Sequence, residues 1–182
     1  EGDVWTHTMM SLDAMADLRT HDKKKDMILM LAVLCHDLGK AKPSIPVDKD
    51  AAAAEHQNIL QPTRTLLGRL TDQKSLIDAV ISLVQEHPMP SRLYKQNAQD
   101  GEIRRLSTRV NIEDLVTLAR ADNFGRTTQD AREKKYPAGE WILKKAAELN
   151  VLNKGPDPIL LGRHLVASGL KAGKIFKEIL EL

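Results

Sequence analysis

The chain has a single cysteine, Cys35, so no internal disulfide can form. That suits a reducing compartment, and the expected location is the cytoplasm. Aromatic residues are scarce, with two Trp, two Tyr and two Phe in 182 residues. Any nucleic acid would therefore have to be held by its backbone rather than by stacked bases. The longest apolar run, Met27 to Cys35, is far shorter than the roughly 20 residues that span a bilayer. No basic start followed by a cleavable apolar segment is visible, so neither a membrane nor a secretory signal is expected. Charge of one sign is also lacking: the formal net charge is +2. Strand-type alternation of useful length is absent. The chain opens Glu1-Gly2-Asp3-Val4 with no initiator Met, and we expect it to be a piece of something longer or a renumbered chain.

What remains is an aliphatic sequence with Lys, Glu and Gln between the apolar positions, a palette that favours helices. Met10, Ala14 and Leu18 form one stripe of a helix over 4–18. The charged stretch 19–26 reads as a solvated turn. A buried helix follows from Met27 to Leu38, closed by Gly39. Pro43 and Pro46 mark a loop. Residues 51–70 read as a helix broken or kinked at Pro62. Residues 75–87 form an amphipathic helix that Pro88 and Pro90 stop, and 91–101 reads as a polar connector. Helices are expected over 102–110, 111–124 and 141–149. Gly155-Pro156-Asp157-Pro158 is the clearest boundary, dividing a domain over 1–154 from a short helical tail over 155–182. The expected fold is all-α, a bundle of stacked helices with that tail appended.

Six ionisable groups fall on apolar helical faces. His7 continues the stripe of Met10 and Ala14. His36 follows Leu29, Ala32 and Val33, and Asp37 follows Met30 and Val33. His56 sits among Ala52, Ala53, Ile59 and Leu60. His87 follows Val80, Leu83 and Val84, and Asp122 follows Leu115, Leu118 and Ala119. Burying such groups costs several kcal/mol, roughly, unless something compensates. One buried His is ordinary and usually hydrogen-bonded. Four imidazoles and two carboxylates aimed inward need a common partner, and a divalent cation fits their N and O donors. A buried polar cluster without metal is the alternative. His87 ends a helix, where the negative end of the dipole favours a cation. His21-Asp22 repeats the His-Asp dipeptide but stands before Lys23-Lys24-Lys25, so it reads as surface. His164 reads as a partly buried, satisfied residue, and Cys35 as core.

The segment Leu34-Cys35-His36-Asp37-Leu38-Gly39-Lys40 resembles the signature of the HD superfamily of metal-dependent phosphohydrolases. That pattern has an upstream His, the His-Asp pair and a distant Asp on a later helix, matched here by His7, His36, Asp37 and Asp122. The resemblance implies a second ion, with Asp37 bridging and His56 and His87 as its ligands. The chemistry it implies is hydrolysis of a phosphoester by one or two divalent ions (Mn, Ni, Mg, Fe or Zn). Asp37 would serve the catalysis directly, and Lys40, Arg120 and Arg126 would steady phosphoryl oxygens, or else be solvated surface cations.

A more specific likeness lies in Glu1-Gly2-Asp3-Val4-Trp5-Thr6-His7-Thr8, in Arg120-Ala121-Asp122-Asn123 with Gly125-Arg126, and in Leu161-Gly162-Arg163-His164-Leu165. These are similar to the C-terminal HD domain of bacterial tRNA nucleotidyltransferases, the CCA-adding enzymes. The likeness implies 2′,3′-cyclic phosphodiesterase, nucleotidase or phosphatase activity on a small phosphoester or nucleotide, with tRNA as a partner. The Gly-rich nucleotidyltransferase head is absent from these residues, so nucleotide addition is not expected of them alone. Lys171-Ala172-Gly173-Lys174 also departs from the proline-bearing turn common in that family's tail. The rival reading is a tRNA-gripping body with a structural metal, using Lys23 to Lys25, Arg104, Arg105, Arg109, Lys134, Lys135, Lys144 and Lys145. The sequence does not fix the oligomeric state.

Overall fold

A computed structural model of the protein describes residues 3–41, 52–156, 160–171 and 173–180, with backbone alone at 40, 41, 52–59, 174, 177 and 178. Among the described residues the chain is helical, without a strand. The elements are α1 (Val4–Asp17), α2 (Lys23–Cys35), a 3-10 turn (Leu38–Ala41), α3 (Ala52–Leu70), α4 (Lys74–Glu86), α5 (Met89–Lys95), α6 (Asp100–Ser107), α7 (Ile112–Phe124), α8 (Gln129–Arg132), α9 (Pro137–Glu148), α10 (Gly162–Ala167) and α11 (Lys174–Leu180). Helix α7 is central: it packs on α1, α2, α4 and α9, while α2 also packs on α1 and α4. The core between them is aliphatic, with Met15, Leu29, Val33, Val80, Ile103, Leu115, Leu118 and Ile142 almost wholly buried. No helix among the described residues is long and apolar enough to cross a membrane.

Short polar residues start these helices by accepting from the first free N–H groups. Asp3 accepts from the Thr6 N–H at 2.7 Å. Asn111 accepts from the Asp114 N–H at 3.0 Å. Asp22 accepts from the N–H groups of Lys24 and Lys25. That last cap corrects the expected turn over 19–26: α2 begins at Lys23, and the acid that resembled half of a metal motif is its cap. His21 is exposed, as expected for the decoy, and its backbone adopts a positive φ of 69°.

Proline ends α4 at Glu86 as expected, but it does not break α3 or open a connector after α4. Helix α3 runs unbroken through Pro62. Leu60, Thr63 and Leu67 beside it are all buried, at helical spacing, and α3 packs on α4. Tertiary packing offsets the one lost hydrogen bond. Pro88 and Pro90 do not open a connector either. Pro88 is the residue preceding α5, and Pro90 lies in its first turn, where a missing N–H is no loss. Leu93 anchors α5 in the core. Its end is a left-handed Asn97, with the Ala98 N–H donating to the Leu93 carbonyl and the Asn97 N–H to that of Tyr94. Helix α9 begins at Pro137, four residues before its expected start, and α8 is an extra short turn.

The approach of α1 to α7 is set by Gly125, which follows the last residue of α7. A Cβ there would fall 2.2 Å from the Ser11 Oγ and 2.7 Å from the Ser11 Cα. Its φ is −71°, open to any residue, so the constraint is space and not conformation. Ser11 lies one turn beyond His7, and Gly125 three residues beyond Asp122. The pair thus fixes how closely His7 and Asp122 meet. Gly125→Ala should cost about 1–3 kcal/mol of stability through overpacking and should weaken divalent-cation binding as well. Urea unfolding and a cation titration of the variant check both outcomes, and unchanged values would remove the spacer role.

Candidate metal centre

His36 and His87 occupy equivalent places. Each is the residue immediately after a 13-residue helix, α2 for His36 and α4 for His87, with nearly the same backbone: φ −57° and ψ −31°, against φ −56° and ψ −30°. Each turns its ring back on its own helix. The His36 Nδ1 donates to the Val33 carbonyl at 2.6 Å, and the His87 Nδ1 donates to the Val84 carbonyl at 2.7 Å. A carbonyl oxygen only accepts, so the proton sits on Nδ1. In the neutral ring the Nε2 then keeps a lone pair, the form a metal requires. The two rings stand edge to face, with centroids 5.4 Å apart. Two helix C-termini therefore converge here, and both place the negative ends of their dipoles toward one spot.

The other elements deliver the remaining donors. His7, on α1, reaches Asp122, on α7: Nε2 to Oδ1 is 3.0 Å. The His36 Nε2 lies 3.3 Å from the His7 Nε2, 3.6 Å from the Asp37 Oδ2 and 3.8 Å from the Asp122 Oδ1. His7, His36 and Asp37 each offer an atom within 4.8 Å of the others. The neighbours of an ion with bonds of about 2.1 Å stand roughly 3.0–3.4 Å apart along the edges of an octahedron or tetrahedron. The spacing therefore suits a small divalent ion. Burial supports the same reading, since His36 and Asp37 are only 3% and 5% exposed. His7 is buried as well, and its Nε2 is the ring nitrogen turned into the cluster, 3.0 Å from Asp122 and 3.3 Å from His36. The residues present thus fit a divalent cation.

Electrostatics separate the members of the cluster. Burial alone would raise the Asp122 carboxyl. The Arg126 guanidinium, one turn on, and the His36 ring outweigh it and hold Asp122 below the usual carboxylate range. Arg126 spans both Asp122 oxygens at 3.1 Å. Burial pushes His87 below the usual imidazole range, against the opposing pull of the Val84 carbonyl. It pushes the Cys35 thiol up to about 11, so Cys35 is inert core, as expected.

Of the remaining expectations, His56 and Lys40 have side chains outside the described residues. Arg120 is half-buried on α7, and it is absent from the described residues lining the adjoining cavity. Arg126 does line that cavity. His164 is exposed, not partly buried as expected: its Nδ1 accepts the Leu161 N–H at 3.2 Å and so closes the start of α10.

The cavity has a volume of about 810 Å³ and opens beside His36, His87 and Asp122. Its far wall contains residues that sequence reasoning passed over, namely Ser91, Arg92 and Lys95 of α5 and Tyr136 before α9. The Ser91 and Tyr136 hydroxyls are 3.0 Å apart. The one available signal was the Pro-x-Pro start, which also begins helices.

A protein-family model described as HD domain matches residues 4–127. No curated protein and no solved structure matches the chain.

Two outcomes follow from this geometry. A divalent cation at about 100 times its Kd should raise unfolding stability by about 2.7 kcal/mol, and His36→Ala should abolish the gain. Thermal melts with and without cation decide this. The depressed His87 makes the metal-free protein acid-sensitive. The unfolded chain takes up this proton near the ordinary value of 6.5, and the native state only below it. The His87 contribution is therefore intact above about pH 6.5 and falls away as pH drops toward the native value. His87→Gln should flatten that part of the stability–pH curve measured in chelator.

Proposed function

The chain belongs to the HD domain family, and from that premise we propose that it is a metal-dependent phosphohydrolase whose ion is held by His7, His36, Asp37 and Asp122. The observation that carries the reading is the convergence of the buried His7, His36 and Asp37, whose donor atoms lie within 4.8 Å of one another, with the half-buried Asp122 against His7 and His36. His87 stands against the same cluster, and with Asp37 and His56 it would hold a second ion.

Bound there, a divalent cation supplies Lewis acidity toward a phosphoryl oxygen and makes water a stronger acid. The protein does the rest. The Val33 and Val84 carbonyls hold the imidazoles in the correct tautomer. Asp122, kept ionised by Arg126, stays a competent ligand under mildly acidic conditions. Arg126 lines the cavity as well as binding Asp122, so its guanidinium is placed to offset charge that builds on the phosphoryl group. In the hydrolysis the water oxygen bonds to phosphorus, the ester P–O bond breaks, and the departing alcohol oxygen takes up a proton.

The finer reading is a 2′,3′-cyclic phosphodiesterase, nucleotidase or phosphatase within a tRNA nucleotidyltransferase. Its support is the likeness of residues 1–8, 120–126 and 161–165 to the HD domain of those enzymes. A cavity of this size suits a nucleotide. The RNA-gripping body has weaker support. Several of its proposed contacts are answered by acids: Lys25 by Glu113 and Asp114, Arg109 by Glu86, Lys134 by Asp17, Lys135 by Glu133 and Lys145 by Asp100.

The test is turnover of bis(p-nitrophenyl) phosphate and adenosine 2′,3′-cyclic phosphate with Mn²⁺, Ni²⁺ or Mg²⁺ added. Chelator should abolish it. Asp37→Ala should lower turnover by at least about a hundredfold, while its metal-free stability stays level or rises, because a buried charge has been removed. Normal turnover in a folded Asp37→Ala protein would refute the assignment.

A further inference from the structure

The α5 wall of the cavity has no task in the hydrolysis described above. Arg92 and Lys95 lie three residues apart, so they share a helix face. Both line the cavity, as does Ser91. The opposite side of α5 is fixed: Leu93 is buried in the core, and Tyr94 stacks edge-on against Trp141 of α9. The wall is therefore held in place rather than carried on a loose segment.

Lys25, Arg109, Lys134, Lys135 and Lys145 each meet a carboxylate. Lys23, Lys24, Arg104, Arg105 and Lys144 have no ion pair among the described residues but lie outside the cavity lining, so position in the cavity is what sets this wall apart. Arg92 and Lys95 form no ion pair among the described residues. The only carboxylate among the described lining residues is Asp122, and Arg126 already spans it. The metal ligands and Arg126, which is engaged on Asp122, serve the ester that is cleaved. Arg92 and Lys95 take no part in that cluster, and two positive charges thus face a cavity much larger than one phosphate. A terminal phosphate monoester carries about −1.5 to −2 at neutral pH, which matches them.

We propose that Arg92 and Lys95 form a second anion subsite, so that the site selects a phosphodiester bearing an additional terminal phosphate over the same ester without it. The proposal rests on the phosphohydrolase reading for its substrate class, but the subsite itself can be tested without turnover. Both side chains are exposed, so the selection should weaken as salt rises past the range where the screening length is about 8–10 Å.

The experiment compares kcat/KM for adenosine 2′,3′-cyclic phosphate with that for its 5′-phosphorylated form. The wild type should favour the second by about tenfold, the size expected of two exposed charge contacts. In Arg92→Gln/Lys95→Gln the ratio should fall to about one. Arg69→Gln/Lys74→Gln removes equal charge from exposed positions outside the cavity and should keep the wild-type ratio. A wild-type ratio near one, or a ratio surviving in the α5 variant, would overturn the proposal. If neither ester is hydrolysed, the phosphohydrolase reading fails, and calorimetry in chelator still judges the subsite. Adenosine 3′,5′-bisphosphate should then bind the wild type about tenfold more tightly than the α5 variant, and equal affinities would exclude the subsite.

Discussion

A helix end normally leaves its last carbonyls to water. In this protein two of them, those of Val33 and Val84, are taken instead by the Nδ1–H groups of His36 and His87. That hydrogen bond fixes which nitrogen of each ring has the proton, which way the ring faces, and therefore where the lone pair points. It also ties the ring to the helix that carries it, so the packing of α2 and α4 against each other becomes the spacing of the two imidazoles. The aliphatic core beneath them has one job in this respect: to keep two helix ends a ring's width apart.

The same dependence runs through α1 and α7. Their approach is limited by Gly125 against Ser11, and one turn away that separation becomes the 3.0 Å contact of His7 with Asp122. Each ionisable group alone is an expensive thing to bury. Together they share one electrostatic solution, and Arg126 supports it from the cavity side. The burial that looks costly in the sequence is thus tolerable only as a set.

Much of this was legible in the sequence, because the signals are local. His7, His87 and Asp122 lie on apolar helical faces, and His36 and Asp37 follow a segment that is apolar all round, so the sequence itself points all five toward a core. The failures came where one residue type does two jobs. The charged stretch 19–26 looked like a turn throughout, yet Asp22 caps α2, which begins at Lys23. Pro62 looked like a break and is carried by the packing of Leu60, Thr63 and Leu67. Pro88 and Pro90 looked like the end of structure and are the beginning of α5. That last error hid Ser91, Arg92 and Lys95, since a helix unseen is a face unseen. Tyr136 was invisible for a different reason: its hydroxyl meets that of Ser91 across 45 residues of chain, and no local pattern announces such a pairing.

His7 and Asp122 are 115 residues apart in sequence, a distance that matters while the chain is being made. Synthesis adds about 5–20 residues each second, so the first histidine is exposed for seconds before its acidic partner exists. In that interval the contact joining α1 to α7 cannot form, so the cluster is completed only when Asp122 has been made.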